Sequence, residues 1–170
     1  PTNFLYAGML EAAGAAFDLP LQEKADRIRK ETIRRSFDGE VFLDHAIRLG
    51  DALVNFHHVS EAGQYYAALF GGIDLNAPEF AKLKKGITDG FSQPPRPDFC
   101  PVNAFIGLYL RMAVLERFGD QALLHRNIRE FFGGMCEKTG TLWEYAQRKG
   151  SHDHGFASFA AIAIDFIENC

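Results

Sequence analysis

Residues 141–159 read TLWEYAQRKGSHDHGFASF, with a tryptophan, a glutamate, two histidines and two glycines in one short stretch. Glu144 stands between Trp143 and Tyr145 and follows Gly140, the expected end of the preceding helix, so it belongs at a helix end or in a loop. A carboxylate there can accept a proton from water, while a neighbouring aromatic ring stacks on the apolar face of a sugar. A surface glutamate beside a packed tryptophan is the other reading of the same spacing.

His152 and His154 can hydrogen-bond a substrate hydroxyl. Two alternating histidines lack the further ligands that zinc needs, and the nearest, His57 and His58, are far off in sequence, so no metal and no cofactor is expected. In SEAGQYYAALFGG, Ser60 and Glu61 suit a helix start for capping alone, while Gln64, Tyr65 and Tyr66 can line a sugar site. Gly71 and Gly72 lie outside any phosphate-loop pattern, and no serine stands in a nucleophile elbow.

The elements that must position these residues are read as helices. Leu5, Met9, Ala12, Ala13 and Ala16 repeat at helical spacing over 3–18 and form one apolar face, with Pro20 closing the segment. Leu21, Ala25, Ile28 and Thr32 continue the spacing, and EKADRIRKETIRR supplies a solvated outer face. SFDGEVFLDHAIRLGDALVNFHHV reads mostly as loop. Ser60 caps the next helix, and Asn76 with Glu79 has the spacing of a capping box for APEFAKLKKGI.

FSQPPRPDFCP, with four prolines, is a rigid connector. Beyond it Phe105, Leu108, Tyr109 and Met112 line one face of a helix that is also apolar at Ile106, Leu110 and Val114, which implies burial on several sides. Asp120 caps a helix striped by Leu124, Ile128, Phe131, Phe132 and Met135, with His125 outside. A last helix runs over 155–168. The expected fold is all-α, an array of about seven helices in helical hairpins with almost no strand, forming one domain over 1–170.

Composition narrows the partners. With 170 residues, 47% hydrophobic content and 24% charge, the chain can bury a sizeable core. A net charge of -4 with scattered Lys and Arg provides no basic stripe, so no nucleic-acid partner is expected. The apolar runs fall short of the roughly 20 residues that span a bilayer, so no membrane partner is expected. Cys100, Cys136 and Cys170 stand far apart and read as free thiols. Nothing in the chain assigns a compartment.

The Thr141-Leu142-Trp143-Glu144 segment, its short spacer and Ser151-x-x-His154-Gly155 resemble the carboxy-terminal part of the catalytic domain of α-L-rhamnosidases and related six-hairpin glycosidases. VSEAGQYYAALFGG and PVNAFIGLYLRMAVLERFGD resemble two upstream helices of that region, so the resemblance covers most of the chain. It implies half of an (α/α)6 toroid and inverting hydrolysis of a terminal α-L-rhamnosyl or similar residue. Glu144 would be the general base, Trp143 and His154 would contact the sugar, and Gln64 is a candidate for the same pocket.

Inversion needs a second carboxyl to protonate the leaving oxygen, roughly 6.5–9.5 Å away. The family's acidic segment, Asp-x-x-x-x-Asp-Glu-x-x-x-x-x-Asp, has no equivalent here, so the chain is expected to be the second half of a larger catalytic domain, inactive alone. Pairing with a missing amino-terminal segment, or self-association through an exposed apolar seam, then follows. A non-catalytic carbohydrate-binding or helical interaction module is the alternative, and a lyase or unsaturated glucuronyl hydrolase on a similar barrel a third reading.

Overall fold

The computed structural model describes residues 1–90, 99–102 and 106–143. The chain divides into two compact units, Pro1–Pro101 and Val102–Cys170. The described residues are mostly helical, with two small two-stranded sheets in the first unit.

Helix α1, Thr2–Phe17, ends where Asp18 takes a left-handed conformation and Leu19 N–H reaches back to Gly14 O. Its buried residues are Phe4 and Ala7, whereas Leu5 and Met9, expected on the inner face, are 36% and 60% exposed. The helix is apolar nearly all round, so spacing alone permits more than one inner stripe. Packing selects the stripe: Phe4 meets Phe42 edge-on at 5.2 Å, and a Cβ on Gly8 would lie 2.6 Å from the Phe70 ring.

Helix α2, Gln22–Ser36, buries Ala25 as expected, but Arg29, placed on the solvated face by its charge, is only 9% exposed. Its Nε donates to Phe70 O at 2.8 Å and its Nη atoms pair with Asp26 and Glu11. A planar guanidinium can satisfy a buried carbonyl and two carboxylates at once, which lets it leave water.

The stretch read as loop contains a hairpin. Strands β1, Ala46–Leu49, and β2, Ala52–Asn55, pair antiparallel with Ala46 opposite Asn55 and Leu49 opposite Ala52. Gly50, at φ 60, and Asp51 make the two-residue turn. Strand β3, Val59–Ser60, runs into α3, Glu61–Phe70, and pairs in parallel with β4, Phe99–Cys100. Ser60 caps α3 by accepting from Gly63 N–H at 3.1 Å.

The Asn76–Glu79 capping box does not form. Pro78 instead starts a 3-10 turn, Pro78–Phe80, leading into α4, Ala81–Asp89, and Asn76 Oδ1 accepts from Lys84. Proline fixes the first-turn dihedral and has no N–H for a cap to satisfy. The unit's core gathers Phe42, Val59, Tyr65, Leu75, Phe80, Leu83 and Ile87.

In the second unit α5, Ile106–Arg117, buries Leu108, Leu110, Met112, Val114 and Leu115, so it is covered on several sides as its composition implies. Asp120 caps α6, Gln121–Asn127, by accepting from Leu123 N–H, and a π-helical turn, Ile128–Gly133, connects to α7, Gly134–Thr139. Leu124, Ile128 and Met135 are buried as the stripe predicts, and Phe131 and Phe132 are half-buried. His125 is half-buried rather than outside, with Nε2 enclosed and unpartnered among the described residues.

Candidate functional site

The segment that leads to Glu144 is positioned by the end of α7. Gly140 takes φ 73 and closes the helix, its N–H bonding Cys136 O. The turn returns the chain over α7, where Trp143 packs with Leu108 and Met135 in one buried cluster. Indole Nε1 donates to Thr139 Oγ1 at 2.8 Å, the backbone N–H approaches Met135 Sδ at 3.4 Å, and Lys138 Nζ lies 5.6 Å from the ring centroid. At 7% exposure Trp143 is a core anchor and not the open apolar wall that a stacked sugar needs. Glu144, Tyr145, His152, His154 and the helix expected over 155–168 lie outside the described residues, as does most of the proline-rich connector.

Gln64 is a structural clamp instead of a sugar ligand. It is fully buried: Nε2 donates to Phe42 O and Ser60 O, both at 2.9 Å, and Oε1 accepts from Phe42 N–H at 2.8 Å. Both amide protons are thus engaged with backbone carbonyls. Tyr65, also fully buried, donates to Glu61 Oε1 at 2.6 Å.

A polar constellation that sequence spacing missed lies beside them. Asp44, with its side chain 11% exposed, accepts from Ser60 Oγ at 2.7 Å and bonds His58 Nδ1 at 2.8 Å. A carboxylate at Nδ1 is met by an N–H there, which orients the ring and turns Nε2 away from Asp44. Ser60 gives its proton to Asp44, accepts from Gly63, and is not bonded to the histidine, so the group is no nucleophilic triad.

The His45 ring lies 5.9 Å from Phe56 in a near-parallel stack and 5.8 Å from His58, tilted by 46°. The hairpin brings these residues together, since LDH precedes β1 and FHH follows β2. The Gly50-Asp51 pair between the apolar runs was the available signal.

Nearby on α2, Arg34 and then Arg35 hydrogen-bond Glu31 and lower its carboxyl pKa to about 2, while Glu31 raises that of Arg34. Among the described residues no three His, Cys, Asp or Glu side chains converge as metal ligands, and no helix is long and apolar enough to cross a membrane. Cys100 and Cys136 are exposed free thiols. No family model, curated protein or solved structure matches the chain.

Proposed function

We propose that this chain is the base-bearing half of an inverting glycoside hydrolase of the α-L-rhamnosidase type, with Glu144 activating water and His154 hydrogen-bonding the sugar. The observation that supports this reading is the anchoring of the chain one residue before Glu144. Trp143 is buried on Leu108 and Met135 and hydrogen-bonded to Thr139 after a left-handed turn at Gly140. A general base works only when its backbone is held firmly enough to keep the carboxylate within reach of the attacking water. Trp143 is then a positioning residue, acting through the backbone it fixes.

The helical hairpins are, in this proposal, half of an (α/α)6 toroid. A helix such as α1, apolar nearly all round, suits a place against a further helical layer. The acid that protonates the leaving oxygen comes from the complementary half, because one carboxylate cannot serve both faces of the anomeric carbon.

The test uses the longer protein that carries both halves, with p-nitrophenyl α-L-rhamnoside as substrate. Glu144→Gln should lower kcat by roughly 10²–10⁴-fold, the range of general acid–base catalysis, and NMR of the wild-type product should show inversion at the anomeric carbon. Unchanged turnover in the variant, or retention in the product, overturns the assignment. Sugar binding without hydrolysis by wild type would favour the carbohydrate-binding module.

A further inference from the structure

Every residue of β2 is exposed, and in β1 only Ile47 is partly covered. The register puts Ile47, Leu49, Ala52, Val54 and Phe56 on one face of the ribbon, which makes that face apolar along its length. A two-stranded hairpin by itself is marginal in water, and further strands that share an apolar face stabilise it.

The backbone shows which edge can take another strand. Phe56 N–H donates to His45 O, so 45 with 56, 47 with 54 and 49 with 52 are the hydrogen-bonded pairs. The N–H and C=O of Leu53 and Asn55 then face away from β1, and no further strand or backbone hydrogen bond among the described residues reaches them. From Ala52 to Phe56 this edge has no charge, no proline and no bulge, the devices that keep an edge unpaired, whereas the β1 edge carries Arg48.

A second copy fits the β2 edge in one register. With a two-fold axis at Val54 the two strands run antiparallel, and Leu53 of one copy lies opposite Asn55 of the other, so their outward backbone groups bond in pairs. The apolar faces then coincide: Val54 meets Val54, and the Phe56 ring lies across from the small Ala52. Asp51 of each copy falls opposite His57 of the other. Both residues are exposed and make no ion pair among the described residues. A slip of two residues would set Asp51 opposite Asn55 or Val59 instead, and a slip of one would turn the apolar face of one copy away from that of the other.

We propose that the β2 edge pairs with the β2 edge of a second copy of this chain, making a four-stranded antiparallel sheet in the order β1-β2-β2-β1 with Asp51 and His57 paired across it. This surface is separate from the exposed face of α1 and does not rest on the glycosidase reading.

The test uses the 170-residue chain carrying Met9→Glu and Phe17→Ser, which suppress association through α1. Sedimentation at up to about 1 mM, a range suited to a small interface, should show a monomer–dimer equilibrium. His57→Glu sets a second carboxylate opposite Asp51 and should weaken the dimer about tenfold, and adding Asp51→Lys should restore it. The positive φ of the turn belongs to Gly50, so Asp51 can be replaced without strain. With Cys100, Cys136 and Cys170 changed to Ser, Val54→Cys on the axis should oxidise in air to a covalent dimer. Leu49→Cys, on the same face and more exposed but on the outer strand, should not. A monomer throughout that range, a dimer indifferent to His57→Glu, or cross-linking of Leu49→Cys as readily as Val54→Cys overturns the proposal. None of these results bears on the hydrolysis test, which reads Glu144.

Discussion

Gln64 and Phe42 are joined by a two-way bond: the Phe42 carbonyl accepts from Gln64 Nε2 at 2.9 Å, and the Phe42 N–H donates to Gln64 Oε1 at 2.8 Å. A side-chain amide here substitutes for a strand partner, satisfying both backbone groups of a buried phenylalanine. It also ties the stretch after α2 to the start of α3, since the same Nε2 reaches Ser60 O.

Replacing Gln64 by Leu should therefore leave a buried N–H and a buried C=O of Phe42 without partners. The expected loss is about 2–4 kcal/mol of stability, read as a lowered urea midpoint. A change within about 0.5 kcal/mol would mean that Gln64 is not the clamp.

Trp143 and Thr139 provide a second comparison in the other unit. Trp143→Ala removes a core indole and should cost about 3–5 kcal/mol, with loss of the near-ultraviolet tryptophan band. Thr139→Val keeps the volume and removes the acceptor of the Nε1 bond, so it should cost about 1 kcal/mol with the packing retained. If Thr139→Val were as damaging as Trp143→Ala, the hydrogen bond and not burial would be holding the turn.

Helix α1 exposes Leu5, Tyr6, Met9 and Phe17, with Leu19 just beyond its end. An apolar surface of this kind promotes association, so sedimentation of the isolated chain should show concentration-dependent self-association that Met9→Glu together with Phe17→Ser reduces. A compact monomer at all concentrations would count against the half-toroid proposal.

Glu31 gives a pH prediction with a definite sign. Its hydrogen bonds from Arg34 and Arg35 lower its pKa from the ordinary 4.5 to about 2 in the folded chain. A lowered folded value means the ionised form is favoured by folding, so its contribution is present above about pH 4.5 and is lost as pH falls toward 2. The carboxyl ¹³C resonance of Glu31 should titrate near 2 in wild type and near the ordinary value in Arg34→Gln/Arg35→Gln. Equal midpoints in both would remove the arginines as the cause.

Several elements were legible because their signals are local. Ser60 and Asp120 cap α3 and α6 through bonds to residues three positions on, and Gly140 closes α7 with a left-handed turn. The burial of α5 on several sides follows from its lack of a polar stripe. The hairpin was missed although Gly50 and Asp51 mark its turn, because two four-residue strands that are exposed along almost their whole length carry no alternation of buried and exposed positions.

The residues of this protein by themselves determined that it is mostly helical, where most of its helices begin and end, and which stretches carry candidate chemistry, since propensity, capping and periodicity act over a few neighbours. Tertiary structure decided that α1 turns Phe4 inward and Met9 outward, that Arg29 is buried, that Trp143 is an anchor and Gln64 a clamp, and that Asp44, His45 and His58 meet. Each of those outcomes depends on a partner distant in sequence: Phe42 or Phe70 across the core, Leu108 from another helix, or one strand of a hairpin facing its mate. Local spacing states which faces a side chain can present, and only the packed chain selects among them.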